Sequence, residues 1–197
     1  MTDKFFDVKT KSEIKDILAQ WGVSESSYHI DSDLSVTLYE KFELYRYDDT
    51  TLPFKFKYSF EDFTIKKGRL VSAKGVPDAT GASFSLAFCR QISNIEYLPK
   101  IIGERKPGYM NLLGTNIKSL HNIHKYITSI NDTLYLNLET THLLGLFFIK
   151  DLKVVSSFSD ANDKAYQIVT AHLTGGRDVH ACQEELIEAG YVQEARF

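Results

Sequence analysis

Six histidines, two cysteines and a trio of glutamates near the C-terminus are the residues with which this chain could do chemistry. The histidines are His29, His121, His124, His142, His172 and His180. None sits in an HExxH or other regular ligand spacing. His121 and His124, three apart in an expected turn, are the one pair with a metal-like interval, and exposed turn residues account for them equally well. Cys89 and Cys182 lack CxxC grammar and read as free thiols of a reducing compartment. Glu184, Glu185 and Glu188 fall on the polar side of the final helical stretch, where a solvated face explains them. There is no GxSxG and no phosphate-binding glycine loop. The reading is a non-enzymatic protein with no catalytic residue, metal or cofactor.

Binding chemistry is better represented. The hexapeptide GERKPG, residues 103–108, sets Arg105 and Lys106 between turn-forming residues. It suits an acidic partner or a phosphate, although a solvated hairpin is the simpler account. Lys66, Lys67, Arg69, Arg105 and Lys106 together suggest a local basic ridge for nucleic acid. A net charge of −3 argues against a broader one.

What positions these residues is a repeat. Taking Pro53, Pro77, Pro99, His124 and Lys150 as unit starts, apolar residues recur in columns. Val76, Leu98, Ile123 and Ile149 precede the last four starts. Ala73, Ile95, Leu120 and Leu146 lie four residues before them, and Leu70, Ile92, Ile117 and Leu143 seven before. Further back stand pairs spaced by two: Phe63/Ile65, Phe84/Leu86, Met110/Leu112 and Leu136/Leu138. Such pairs point to one face of a short strand. No unit can bury its apolar side alone, so the units must stack. The scheme is that of a leucine-rich repeat, with Gly68, Cys89, Thr115 and Thr141 where asparagine or cysteine usually bonds the turn. Only Cys89 suits that column, so the asparagine ladder is expected to be absent. A plain β-meander with accidental periodicity is the alternative.

The expectation is an α/β solenoid of stacked short parallel strands over 51–157, forming one structural domain with a cap at each end. Residues 1–50 supply an N-terminal helix–strand cap, with Ile14, Leu18 and Trp21 on one face, Ser12 as helix cap and Gly22 as stop. Residues 158–197 supply a C-terminal helical hairpin, capped by Ser159 or Asp160 and broken at Gly175 and Gly176. Leu112, Leu120, Leu138 and Leu146 should share one core. Between the buried pairs, Asp62, Thr64, Lys66, Ser83, Ser85, Tyr109, Asn111, Leu113, Tyr135, Asn137 and Glu139 should face outwards. Tyr109 and Tyr135 should be equivalent neighbours. Their mixture with asparagine suits protein recognition, giving a candidate partner surface of Lys66, Tyr109, Asn111, Tyr135, Asn137 and Glu139, with Arg105 and Lys106 as a second. The polar N-terminus and the lack of a long apolar run predict neither secretion nor a membrane span.

Taken together, "LPFKF", "FSLAFCRQISNIEYL", "MNLLGTNIKSLHNI" and "CQEELIEAG" resemble the small leucine-rich-repeat-like proteins of large virulent tailed bacteriophages. The resemblance spans roughly residues 28–197. Gly81 and Gly108 keep the family's glycine before the strand, and the first and last units do not. Whether phage host-shutoff factors belong to the same group stays open. The resemblance implies a phage protein in the cytoplasm of the infected bacterium. Its expected partner is a host protein, such as RNA polymerase or an anti-phage defence factor.

Overall fold

The computed structural model describes residues 8–157 and 163–197. They form a β-solenoid of about six turns with stacked parallel strands and a few helices. β1 (Tyr28–Ile30) pairs antiparallel with β2 (Val36–Leu38). From β2 onward each coil lays its strands parallel to those of the next. The first coil holds β2 and β3 (Phe42–Tyr45), and the second β4 (Phe56–Ser59) and β5 (Phe63–Lys66). The third holds β6 (Ala79–Thr80) and β7 (Phe84–Ser85), and the fourth β8 (Ile101–Ile102) and β9 (Met110–Asn111). In the last two coils the paired segments fuse into β10 (Ser129–Tyr135) and β11 (Lys150–Ser156). Two parallel ladders thus run along the solenoid and merge in β10, whose start pairs with β8 and whose end pairs with β9. The leucine-rich scheme predicted one strand per coil; most coils carry two, separated by a corner.

The second ladder shows why these sequences stack. Phe42, Phe63, Phe84, Met110, Leu134 and Val155 lie in register from coil to coil. The rings of Phe42 and Phe63 stack at 5.0 Å, and those of Phe63 and Phe84 at 5.9 Å. Ile65, Leu86, Leu112 and Leu136 form the next buried row. Each row removes a strip of apolar surface that a single coil would leave wet.

One expected register is wrong. Met110 pairs with Leu134, so the buried pair of the fifth coil is Leu134/Leu136, and Leu138 is 50% exposed. The stretch "LYLNL" offers two overlapping leucine pairs, and alternation of period two cannot choose between them. Leu112, Leu120 and Leu146 do share the core.

After the second strand the chain turns through a left-handed residue at the same place in successive coils: Arg46, Lys67, Phe88 and Gly114. Their amides donate to the next coil, from Arg46 to Lys66 O, Lys67 to Ala87 O and Phe88 to Leu113 O. A Cβ on Gly114 would lie 2.4 Å from Phe88 Cδ1, so glycine is required there. In the following column Cys89 Sγ lies 3.5 Å from Ile65 O, and Thr115 Oγ1 donates to Leu112 O at 2.7 Å. That column carries no asparagine, but one asparagine outside it, Asn137, bonds the turn from the next coil. Its Oδ1 accepts from Gly114 N at 2.7 Å, and its Nδ2 donates to Thr115 O at 2.8 Å.

At the N-terminal end, α1 (Lys11–Gln20) opens with a capping box of Thr10 and Glu13, not with Ser12. It buries Ile14 and Leu18 and sets Trp21 against the rings of Phe42, Tyr47, Phe54 and Phe56. At the other end, α2 (Lys164–Thr174) is capped by Asp163 and α3 (Val179–Glu188) by Asp178. Ser159 and Asp160, the expected caps, lie outside the described residues. Thr170 Oγ1 exchanges hydrogen bonds with both backbone groups of Val155 on β11. Arg177, left-handed between the helices, donates to the carbonyls of Leu146, Phe147, Ile149 and Leu152. No helix among the described residues is long and apolar enough to cross a membrane.

Candidate interaction surface

The outward side of the second ladder carries most of the residues read as a partner surface, and much of its polar chemistry is turned on the protein itself. Lys66 pairs with Glu43 at 3.1 Å, and Lys41 pairs with the same carboxylate at 3.0 Å. These two ammonium groups hold Glu43 below the usual carboxylate range. Asp62 Oδ1 accepts from Ser83 N, and Ser83 Oγ accepts from Tyr109 N. Asn111 Oδ1 accepts from Leu113 N at 3.0 Å. Thr64, Ser83, Ser85 and Leu113 were expected on an open face but are buried. Coils ~4.8 Å apart let small side chains sink between longer neighbours. Leu113 instead lines a groove at the turn edge.

Tyr109 and Tyr135 do meet, in a different register from the one expected. Tyr135 lies opposite Asn111, so the tyrosines are diagonal neighbours. Their centroids are 5.7 Å apart and the rings stand edge to face at 80°. This geometry suits two aromatic quadrupoles better than face-to-face stacking. Tyr109 is 38% exposed, and Tyr135 is partly buried. Asn137 is committed to the turn backbone at both ends of its amide, and its own carbonyl accepts from the Tyr166 hydroxyl. Glu139 is exposed and shares the rim of the turn-edge groove with Leu138. That groove has a volume of ≈ 580 Å³.

The GERKPG loop is docked rather than free. Amides of Gly103 through Lys106 donate to the carbonyls of Thr80, Gly81 and Ala82. Arg105 lies 4.9 Å above the Phe60 ring, and Lys106 pairs with Glu61. Burial, with Glu104 nearby, pushes the Tyr58 phenol up to about 12. A Cβ on Gly108 would lie 2.6 Å from the Ala82 carbonyl carbon, so the loop returns pressed against the previous coil. Arg105 and Lys106 remain exposed, but each already has a partner. They stand at the corner before β5, whereas Lys66, Lys67 and Arg69 stand at its far end. Glu61, Asp62 and Glu43 belong to the same stretch of surface. The five cations expected to form one ridge therefore fall into two groups.

No family model, curated protein or solved structure matches this chain.

The histidines give little chemistry. His121 Nδ1 bonds the Phe197 carbonyl oxygen at 2.7 Å, while the His124 ring packs on Phe148. His142 Nδ1 lies 3.0 Å from Ser119 Oγ and 2.9 Å from Thr141 Oγ1. Burial, then the neighbouring His121, pull His142 below its ordinary value. No carboxylate side chain orients this imidazole among the described residues, so the serine contact lacks the third member of a triad. Among the described residues no group of three or more His, Cys, Asp or Glu side chains could hold a metal. Cys89 and Cys182 are buried and unpaired, and burial raises both thiols, Cys182 to about 12. Neither is poised as a nucleophile.

Sequence reasoning missed three cations that the fold brings to the turn edge, Arg46, Arg90 and Lys118. Their signal was faint: each falls in the turn that follows the second strand of its coil, visible only once the register is known.

Proposed function

We propose that this chain is a non-enzymatic, leucine-rich-repeat-like protein of a large tailed bacteriophage that binds a host protein and alters its activity. In this reading α1 caps the first coil and the α2–α3 hairpin caps the last. The protein acts in the cytoplasm of the infected bacterium, on the transcription machinery or on a defence factor. The resemblance supplies the origin and the target class.

The observation that carries the binding surface is the edge-to-face pair Tyr109/Tyr135, partly exposed on the strand face. Two rings held by regular backbone present a broad amphipathic contact at low entropic cost, as interface hot spots do. Asn111 and Glu139 flank them; Asn137 acts through the backbone it braces.

The test compares the wild type with Tyr109→Ala/Tyr135→Ala, using immobilised protein against purified bacterial RNA polymerase and against lysate fractions. Neither ring belongs to the buried rows, so the double variant should fold normally. Loss of more than ~2 kcal/mol of affinity, roughly 30-fold, is expected if the pair is a hot spot. Unchanged affinity would move the surface elsewhere.

A further inference from the structure

Five lysines on the solenoid's strand side are neutralised, while Lys100, Lys150 and Lys153 are exposed there without an ion pair among the described residues. Lys41 and Lys66 share Glu43, Lys55 pairs with Asp78, Lys57 with Asp31 and Lys106 with Glu61. The turn edge after β3, β5, β7 and β9 is different. Arg46, Lys67, Arg69, Arg90 and Lys118 are all exposed there, and none makes an ion pair among the described residues.

Their placement follows from the backbone. Arg46 and Lys67 occupy the same left-handed position in adjacent coils, joined through the bonds from Arg46 N to Lys66 O and from Lys67 N to Ala87 O. Tyr47, Gly68 and Cys89 stack in the next column: a Cβ on Gly68 would lie 3.5 Å from Tyr47 Cβ and 3.4 Å from Cys89 Sγ. Arg69 and Arg90 directly follow the last two of these, so they too project from neighbouring coils. Lys118 lies further along, on the rim of the groove that also contains Gly114. The cations therefore fall in two close columns, Arg46/Lys67 and Arg69/Arg90, each spanning adjacent coils ~4.8 Å apart. Asp48 and Asp49, just after Tyr47, end the row on one side, and Glu139 ends it on the other.

One aromatic ring belongs to this row. Tyr45 is 55% exposed, with the Lys67 ammonium 5.2 Å and the Arg46 guanidinium 5.7 Å from its ring centroid.

We infer that this edge binds single-stranded nucleic acid, the cation row tracking successive phosphates and the Tyr45 ring stacking on a base. A run of exposed cations without ion pairs, carried from coil to coil, fits a chain whose own charges repeat. Arginines at positions 46, 69 and 90 fit phosphate oxygens better than lysines would, through their forked donors. A ring beside a cationic track is the arrangement by which sequence-tolerant single-strand binders hold bases. This surface is separate from the tyrosine pair of the strand face, so either assignment can fail without the other.

The experiment is fluorescence anisotropy on the full chain with a mixed-sequence 20-nucleotide single-stranded probe, as DNA and as RNA, over a salt titration. Affinity should fall steeply as salt rises, because bound counterions are released from the phosphates. Arg69→Gln/Arg90→Gln should weaken binding at least tenfold and flatten the salt dependence, whereas Tyr109→Ala/Tyr135→Ala should leave it unchanged. Tyr45→Leu should weaken binding severalfold without changing the salt slope. Circular dichroism and thermal melts identify any variant that fails to fold; for such a variant, Arg46→Gln/Lys67→Gln carries the same expectation. No salt-dependent binding, or binding indifferent to the cation substitutions, overturns the inference. Equal or tighter binding of duplex DNA or of poly-glutamate also overturns it, by showing a surface that reads charge alone.

Discussion

The inward rows and the turn edge of this solenoid repeat different things. Along the inward row the chemistry itself recurs: Phe42, Phe63, Phe84, Met110, Leu134 and Val155 are apolar at every coil. Along the turn edge only the backbone recurs. Arg46, Lys67, Phe88 and Gly114 share a left-handed conformation and little else. Burial selects side chains where coils press together, and hydrogen bonding selects dihedral angles where they turn. Most side chains at the edge are thus free to vary, and Arg46, Lys67, Arg69, Arg90 and Lys118 stand there exposed.

The largest expected effects lie in the rows. Phe63→Ala, removing a ring packed against Phe42, Phe56 and Phe84, should cost ~3–5 kcal/mol in denaturant unfolding. Leu120→Ala, fully buried in the same core, should cost ~2–5 kcal/mol. A loss below ~0.5 kcal/mol at Leu120 would be surface-like and would break the distinction between row and edge.

Next in size is the one edge position where side chains are not free. Gly114→Ala adds a Cβ against Phe88 in a left-handed conformation and should cost ~1–3 kcal/mol. Lys67→Gly, at the equivalent place one coil before Phe88, should change stability by no more than ~1 kcal/mol, since glycine relieves the dihedral strain while adding unfolded-state entropy. Equal losses at the two sites would mean that the edge is packed throughout.

The periodicity of apolar residues made the solenoid readable, because stacking forces every unit to repeat its buried face. The first strand of each coil was not readable. Residues such as Ala79/Thr80 and Ile101/Ile102 form pairs too short to show alternation, and only their coil-to-coil bonds define them. The tyrosine pair was legible as an adjacency but not as a register. The role of Asn137 was hidden for the same reason: its partners, Gly114 and Thr115, belong to a turn whose position depends on that register. The docking of Arg105 on Phe60 joins residues from different coils, and no local pattern announces it.

A smaller effect concerns pH. His142 is held below its ordinary 6.5, so the folded chain binds fewer protons there than the unfolded chain. Stability from this site is full above that value and is lost as pH falls through it towards the folded value. Glu43 and Asp33 have lowered values, so their contributions are lost at lower pH, as it falls through their folded values. Chemical denaturation at pH 7 and pH 5 should show a shallow decline that His142→Gln removes. An unchanged decline in that variant would assign it to another group.

The smallest effect carries the sharpest decision. Leu138 sits in a sequence where "LYLNL" permits Leu136/Leu138 as readily as Leu134/Leu136 to be the buried pair. The pairing of Leu134 with Met110 puts Leu138 on the turn edge, half exposed, opposite the column position of Gly114. Leu138→Ala should therefore change stability by no more than ~0.5 kcal/mol, while Leu134→Ala should cost ~2–5 kcal/mol. The reverse ranking would shift β10 by two residues against β9. Tyr135 would then leave its place opposite Asn111, and Asn137 would lose its hold on Gly114 and Thr115. One pair of unfolding curves thus tests the register on which the tyrosine surface and the end of the cation row both depend.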